Sequence, residues 1–578
     1  MPLVIRKTSS HIPIRKDFRL HALMAVFFLM CAIIIYRLVD LQIFHYSEYN
    51  ALAKNLHQIE KEIIPPRGSI YVKENDKLYP IVYNEDYYLM YADPRKIEDT
   101  KKFIDTIAPA LGLSDEEWKD LLKRINKKDD PYEPVKKKIS KEMVEELKKK
   151  LISGVYFIPE SYRKYPEKNI GGHVLGYVDY NGVGRYGLEG FYNELLAGVA
   201  GKIRSSKDAY GLSITLGDRE VENPISGKDI VLTIDRNIQF KTCEEIKKGV
   251  QEYQAESGSI IAMDPSSGAI LAICSFPDFD PANFNTVKDI NIFNNPAIFY
   301  AYEPGSIFKA ITMAIGLDLK KIEPNTTYED TGEVKIIGQK PIKNFDQKAY
   351  GAQTMTQVLE KSLNTGAVFV ENLIGKKNFL KYVKDFGFGE TTNVGLDSEG
   401  AGNIAPLDKR GEIYAMTASF GQGITITPIQ YLAAFSTLIN GGKLMKPYIV
   451  EKILNEGAVV EEIKPKVVRQ VISQNASAQI TGMLVSAVEN GWDKKTKIQG
   501  YYVGGKTGTA QVAGSDGKYS NATTHSFAGF APAYNPRVAI IVRLDNPKKF
   551  SFASETTTRV FKNVIEFILD YYNIPPDR

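Results

Sequence analysis

Hydrophobic and polar positions divide this chain into one continuous apolar stretch, a charged and patchy segment, and a long segment where strand and helix periods alternate. Leu20 to Tyr36 (LHALMAVFFLMCAIIIY) carries no formally charged residue over 17 positions, the lower limit for crossing a bilayer as a helix. From residue 38 to about 222, short β-like runs surround a middle rich in lysine and glutamate. There Asp115–Lys150 reads as exposed amphipathic helices broken at Pro131 and Pro134. After a turn at Pro224–Gly227, Ile230–Ile234 (IVLTI) predicts a strand leading into Asp235, and Arg236–Tyr253 has a helical period. Ser257–Met263 and Ala269–Cys274 predict a hairpin about the turn Asp264-Pro-Ser-Ser-Gly268. Helical patterns fill Ser306 to about Asn440, and strand-like runs return at Tyr501–Val503, Ser526–Ala531 and Val538–Val542. Strands at both ends with helices between predict an α+β fold, one mainly antiparallel sheet covered by helices.

Length changes the picture first, because 578 residues exceed one compact core and predict several domains. Charged residues at 25% and hydrophobic ones at 43% are ordinary for a globular protein, and a net charge of +4 makes no case for nucleic acid. Three cysteines, Cys31, Cys243 and Cys274, are too few and too scattered for a disulfide framework or a cysteine metal site. Arg6, Lys7, Arg15, Lys16 and Arg19, against Asp17 alone, precede the apolar stretch. That bias keeps the N-terminus in the cytoplasm and sends the rest of the chain outside. No A-x-A site follows, so the stretch reads as an uncleaved signal anchor and not as a cleaved peptide. The expected division is a cytoplasmic tail (1–19), a transmembrane anchor (20–37), a non-catalytic pedestal or dimerisation-type domain (38–222) and a catalytic domain (223–578). Within the pedestal, Arg67-Gly68-Ser69-Ile70 and Gly184-Arg-Tyr-Gly187-Leu-Glu189 read as tight turns with an anchoring charge. The second is no phosphate loop, for it lacks the Lys-Ser/Thr ending and the third glycine of a dinucleotide fingerprint.

Candidate chemistry comes from three short motifs in order: Ser306-Ile-Phe-Lys309, Ser362-Leu-Asn364 and Lys506-Thr-Gly-Thr509. Serine and lysine three apart on a helical turn share a face, so the amine reaches the hydroxyl. Ser306 at a helix start leaves its N–H without a helical partner, available to an oxyanion. Lys309 works as a base once burial or a nearby positive charge such as Lys506 lowers its pKa. Taken singly, Ser306 reads as an ordinary helix cap with Lys309 on the surface, and Ser362 as a helix-terminal cap. Together the motifs read as acyl transfer through a serine ester. Ser362 then relays a proton between a lysine and the leaving group. Glycines 504, 505 and 508 around Lys506 open the strand to an added peptide strand, and the Lys506, Thr507 and Thr509 side chains suit a carboxylate. Only His525 follows Ser306, and no G-x-S-x-G elbow is present, so a Ser-His-Asp triad is disfavoured and His525 reads as a packed residue.

With these residues the chain resembles the class B penicillin-binding proteins, membrane-anchored transpeptidases that cross-link peptidoglycan. Pro66-Arg67-Gly68-x-Ile70, Gly184-x-x-Gly187-x-Glu189, Leu232-Thr-Ile-Asp235, Ser275-Phe-Pro-Asp-Phe-Asp-Pro281, Glu303-Pro-Gly-Ser306, Ser419-Phe-Gly-Gln-Gly423 and Thr427-Pro428 carry the resemblance. It implies a penicillin-binding transpeptidase domain after an elongated mixed α/β pedestal and one transmembrane helix. It implies that Ser306 is acylated by a stem peptide ending in D-Ala-D-Ala and that an amine from another stem takes the acyl group. By position Lys309 is the base, Ser362 and Lys506 shuttle protons and Asn364 orients the donor. Thr507, Gly508 and Thr509 meet substrate, and the backbone N–H groups of Ser306 and Thr509 form the oxyanion hole. No cofactor or metal is implied; β-lactams are implied as inhibitors and a membrane glycan polymerase as partner. Val72 replaces an acidic residue usual in the first pedestal motif, which puts one local contact in doubt. Ser-Leu-Asn, Lys-Thr-Gly and Glu303 resemble the division-type branch more than the elongation type. No glycosyltransferase domain and no C-terminal repeat domain are expected. A D,D-carboxypeptidase or β-lactamase using water is the rival enzyme, and a scaffold or β-lactam sensor the rival without catalysis.

Overall fold

The computed structural model describes residues 18–47, 49, 58–75, 77–150, 152–167, 170–206, 219–337, 339–514 and 518–578. They fall into two compact units, one drawn from residues 1–65 and 199–225, the other from 66–198 and 226–578. In the first, the helix Phe18–Val39 continues through a π turn at Asp40–Phe44, and this segment is long and apolar enough to cross a membrane. Its side chains are almost all exposed, as an apolar helix that finds no protein core would leave them. Most of the expected cytoplasmic tail, residues 1–17, lies outside the described residues. Gln58–Ile63, Gly201–Ser206 and Arg219–Glu222 complete this unit as an antiparallel three-stranded sheet.

The second unit holds two larger sheets. One has seven strands, from Ile70–Glu74, Lys77–Ala92, Glu133–Ile139, Val155–Lys164, Asp229–Asp235, Val450–Asn455 and Ala458–Glu462. Asp229–Asp235 lies between Ile70–Glu74, its parallel partner, and Val450–Asn455, its antiparallel one. Its apolar run is wholly buried, as expected of a strand covered on both faces. The strand expected to open the catalytic domain therefore belongs to a sheet that crosses the expected boundary at residue 223. The lysine-rich middle differs from expectation too. Helices form at Asp115–Ile125 and Lys141–Lys149, capped by Ser114 and Ser140, but the segment between them is the strand Glu133–Ile139. Pro134 is tolerated in it because the strand lies at the sheet edge. The two glycine-bearing signatures meet as anchors: Glu189, fully buried, accepts from Arg67 Nε at 2.6 Å and Arg163 Nε at 2.7 Å.

The other sheet comprises β1 (Ser257–Met263), β2 (Ile270–Phe276), β3 (Gly504–Ala513), β4 (Tyr519–Ala531) and β5 (Val538–Asp545). It runs β2-β1-β5-β4-β3 and is antiparallel throughout. The run Tyr501–Val503 precedes β3 and is not part of it. Helices α1 (Arg236–Tyr253), α2 (Lys309–Asp318), α3 (Met355–Lys361), α4 (Asn364–Ile374), α5 (Pro428–Ile439), α6 (Gln474–Asn490) and α7 (Thr557–Tyr571) surround it. On one face Ile246 and Val250 of α1 and Phe561 and Ile565 of α7 pack on Ile260, Ile540 and Val542. On the other, α2, α5 and α6 share a larger core with Ile261, Ile541 and Phe530. Two of the three cysteines pair, which corrects the expectation of no disulfide framework in one respect. α1 packs on β2 closely enough to set the Cys243 and Cys274 Cα atoms 5.3 Å apart, and a disulfide joins them.

Candidate active site

Ser306 sits one turn earlier than expected of a helix start. Gly305–Phe308 forms a 3-10 turn, and α2 begins only at Lys309. The turn is held by its neighbours' backbone. Gly305, at φ +58°, donates its N–H to the Gly421 carbonyl at 3.0 Å. Gly421 is itself at φ +82°, and a Cβ there would stand 2.2 Å from the Gly305 oxygen, so the Ser419–Gly423 loop needs glycine to lie against the Ser306 turn. The Thr312 hydroxyl donates to the Ser419 carbonyl at 2.7 Å, and the Tyr431 hydroxyl to that of Ile307 at 2.6 Å. Glu303, just before the turn, accepts from the Gly423 N–H at 2.9 Å and the Tyr519 hydroxyl at 3.0 Å.

Both lysines are buried. Lys309 is fully enclosed and donates from Nζ to the Ser362 carbonyl at 2.5 Å and to Ser362 Oγ at 3.2 Å. Ser362 ends α3 in the left-handed conformation (φ +57°), which turns its carbonyl and hydroxyl onto one amine. Lys506, 1% exposed, donates to the Thr507 carbonyl at 3.1 Å. Burial lowers the pKa of both amines, because neither ammonium keeps its hydration. Lys309 falls further, since Lys506 adds repulsion, whereas the carboxylate of Asp493 offsets part of the loss at Lys506. The site thus pairs an amine poised to accept a proton with one better able to keep its charge.

Asn364 is fixed from beneath. Its N–H donates to Asn344 Oδ1 at 3.0 Å and its side-chain Nδ2 to the Lys343 carbonyl at 2.8 Å. Asn344 is anchored in turn, Nδ2 donating to Asp330 Oδ2 at 2.8 Å, while the Thr365 hydroxyl donates to Asp330 Oδ1 at 2.8 Å. All three of these supporting residues are buried.

Strand β3 is the terminal strand of its sheet, so among the described residues one of its edges pairs with no strand. Its glycines serve a purpose other than the one expected. A Cβ at Gly504 would stand 2.3 Å from the Phe530 ring, and one at Gly505 2.4 Å from that of Phe527. At Gly508 it would stand 2.8 Å from the Pro304 carbonyl oxygen. The first two make room for core aromatics, and the third lets β3 lie against the Ser306 turn. Ala510 touches the same turn: a Cβ at Gly305 would meet the Ala510 Cβ at 3.1 Å. The Thr509 hydroxyl accepts from the Ala553 N–H at 3.1 Å. Phe345, next to Asn344, and Phe552, next to Ala553, meet edge to face at 5.1 Å with both rings partly exposed.

His525 is packed, as expected. It is fully buried, its ring nitrogens lie 2.9 Å from Thr556 Oγ1 and 3.2 Å from Thr523 Oγ1, and burial depresses its pKa to about 4. Sequence reasoning missed Asp330, Asn344 and Asp493. Asn344 and Asp330 reach Asn364 and Thr365 from twenty or more residues away, and Asp493 stands in a run of lysines with no motif about it.

Ser306 one turn before a fully buried amine that binds Ser362, a second buried amine and a terminal strand suit a serine acyltransferase of the penicillin-binding kind. The description "Penicillin binding protein transpeptidase domain" matches residues 258–566, and "Penicillin-binding Protein dimerisation domain" matches 62–232. The chain is 33% identical to stage V sporulation protein D of Bacillus subtilis, over 95% of this chain and 86% of that one. It is 27% identical to peptidoglycan D,D-transpeptidase FtsI of Escherichia coli K12, over 86% and 83%. Penicillin-binding protein 2X of Streptococcus thermophilus shares the fold, with a TM-score of 0.77 at 22% identity, covering 89% of this chain and 80% of that one. The chain belongs to the class B penicillin-binding proteins and, with them, to the branch of the division type.

Proposed function

We propose that this chain is a peptidoglycan D,D-transpeptidase of septal wall synthesis, with Ser306 as its nucleophile. The observation that carries the assignment of roles is the fully buried Lys309 amine bound to Ser362 and depressed by its neighbour Lys506. Neutral Lys309 takes the Ser306 proton as Oγ attacks the penultimate D-Ala carbonyl of a donor stem. The Ser306 and Thr509 N–H groups receive the oxyanion. Ser362, in contact with Lys309, passes the proton to the departing D-Ala amine, and Lys506 keeps the positive charge that favours this exchange. Asn364 orients the donor, Thr507 and Thr509 meet its carboxylate, and Gly508 keeps β3 close to the serine. A second stem's amine then attacks the ester, the proton returns by the same route, and Ser306 is released. A β-lactam enters the first step and stalls at the second; one relative of the same fold, from Mycobacterium tuberculosis, is a complex with aztreonam.

The basic residues before the apolar helix support an N-terminus in the cytoplasm and a catalytic domain outside the cytoplasmic membrane. A disulfide in the catalytic domain is in keeping with that oxidising side. Residues 38–222 act as the non-catalytic pedestal, and a membrane glycan polymerase is the partner. Exchange of residues 20–37 for an unrelated span should weaken capture of that polymerase; unchanged capture removes the helix from the contact. For the nucleophile, the full chain in detergent is labelled with fluorescent penicillin beside Ser306→Ala. Label on the wild type alone is expected, and persistent label on the variant refutes the assignment. Incubation with donor and acceptor stems should yield cross-linked dimer; free D-Ala with no dimer would identify a carboxypeptidase.

A further inference from the structure

Helix α6 ends at Gly491, where the chain presses on the Glu360 carbonyl; a Cβ there would lie 2.6 Å from that oxygen. Two residues on, Asp493 is 1% exposed. Its own carbonyl accepts from the Thr496 N–H at 3.0 Å and hydroxyl at 2.6 Å, which fixes the turn. Its side chain points at β3: Oδ2 accepts from the Thr507 N–H at 3.3 Å, and Oδ1 is buried with no partner among the described residues. Burying a carboxylate with half its hydrogen-bonding capacity unused is costly unless a charge lies near. Lys506 on β3 is the charged group that acts on it. On its own turn Lys495 pairs with Glu555 at 3.8 Å and Lys497 with Glu489 of α6 at 2.8 Å, and Lys494 lies beside it in the chain.

Alternation along a strand gives this contact its meaning. Thr507 and Thr509 are two apart, so both direct their N–H groups to the same edge of β3. Asp493 occupies that edge at Thr507. Resting on the transpeptidase reading above, we propose that Asp493 is a positioning residue for the reaction: it seals the free edge of β3 at Thr507, so that a donor peptide pairs from Thr509 onward, and it holds Lys506 in its charged form beside Lys309. Loss of the carboxylate leaves Lys506 easier to deprotonate, consistent with its present balance of burial against Asp493. A neutral Lys506 no longer opposes protonation of Lys309, so the two titrations approach one another.

The test uses the full chain in detergent and acylation by fluorescent penicillin across pH. Asp493→Asn keeps the shape and an acceptor for Thr507 and removes the charge. Its bell-shaped profile should narrow from the alkaline side, that limb moving down with at least about tenfold slower acylation there, while the acid limb does not move up, since Lys506 is still charged at that pH. An alkaline limb in the wild-type position, whatever the height of the profile, overturns the electrostatic role. Amide hydrogen exchange on the wild type tests the seal without any variant that might misfold: slow exchange is expected at Thr507 and fast exchange at Thr509. Fast exchange at both overturns it. A wild type that is not acylated at any pH refutes the transpeptidase reading itself, a distinct outcome.

Discussion

Gly508→Ala isolates the spacing between β3 and the Ser306 turn, on which the proposed acylation depends. The added methyl would lie 2.7 Å from Ser526 Oγ, 2.8 Å from the Pro304 carbonyl oxygen and 3.1 Å from Ile307 Cγ2. The serine hydroxyl can rotate away. The Pro304 carbonyl cannot, because Gly305 beside it is tied to Gly421 and Ile307 to Tyr431. Relief to ordinary van der Waals distance therefore moves β3 from the turn by about half an ångström. A catalytic displacement of 1 Å costs on the order of a hundredfold in rate, so about tenfold slower acylation is expected here. Overpacking costs about 1–3 kcal/mol of stability, not enough to unfold the domain. The assay is the second-order rate of penicillin acylation on full-length protein, beside thermal melting. Gly482→Ala is the control: it lies within α6 with open space around it, so alanine should raise the melting temperature and leave acylation alone. Wild-type acylation by Gly508→Ala with an unchanged melting temperature would refute the close approach of β3 to the turn.

Glu189→Gln should destabilise the chain by about 3–5 kcal/mol in urea unfolding, because Arg67 and Arg163 lose the buried carboxylate they share; under 1 kcal/mol would contradict that dependence. Replacing both Cys243 and Cys274 with serine should cost about 3–4 kcal/mol, the entropy of opening a loop of 31 residues, and an unchanged melting temperature would show that the bridge constrains nothing. His525 is held neutral in the fold, with a pKa near 4 against 6.5 for an ordinary histidine, so its stabilising effect is complete above pH 6.5 and is lost as pH falls toward 4. Glu371 works in the opposite sense, since burial raises its pKa to about 7 and its ionisation penalises the fold as pH rises from 4.5 to 7. The histidine is therefore read as a difference: His525→Asn should lose less stability than wild type between pH 6.5 and 4, and parallel curves would refute its titration.

Legibility in the sequence followed the range of the interactions. The hairpin of β1 and β2 was readable because its turn, Asp264–Gly268, and both apolar runs are adjacent in the chain. The candidate pair Ser306 and Lys309 was readable because the two are neighbours on one turn. The glycines of β3 were readable as unusual but not for the right cause, since Phe527 and Phe530, which require Gly505 and Gly504, lie over twenty residues away. Asp493 gave no signal, for its carboxylate acts on an amine thirteen residues on, across the end of a helix. The disulfide was hidden likewise: spacing alone does not say that α1 brings Cys243 against Cys274.

The seven-stranded sheet has a consequence in time. A ribosome has released strands 70–74 and 77–92 long before it reaches 229–235, and strands 450–455 and 458–462, which complete the far side of the sheet, come nearly four hundred residues after the first. The early strands therefore face solvent with an unpaired edge through most of synthesis, where other chains can pair with it. Folding is gated by long-range pairing, which is slow. This protein needs protection of its first third until the last quarter arrives, and a chain cut short after the early strands should not yield a stable seven-stranded sheet.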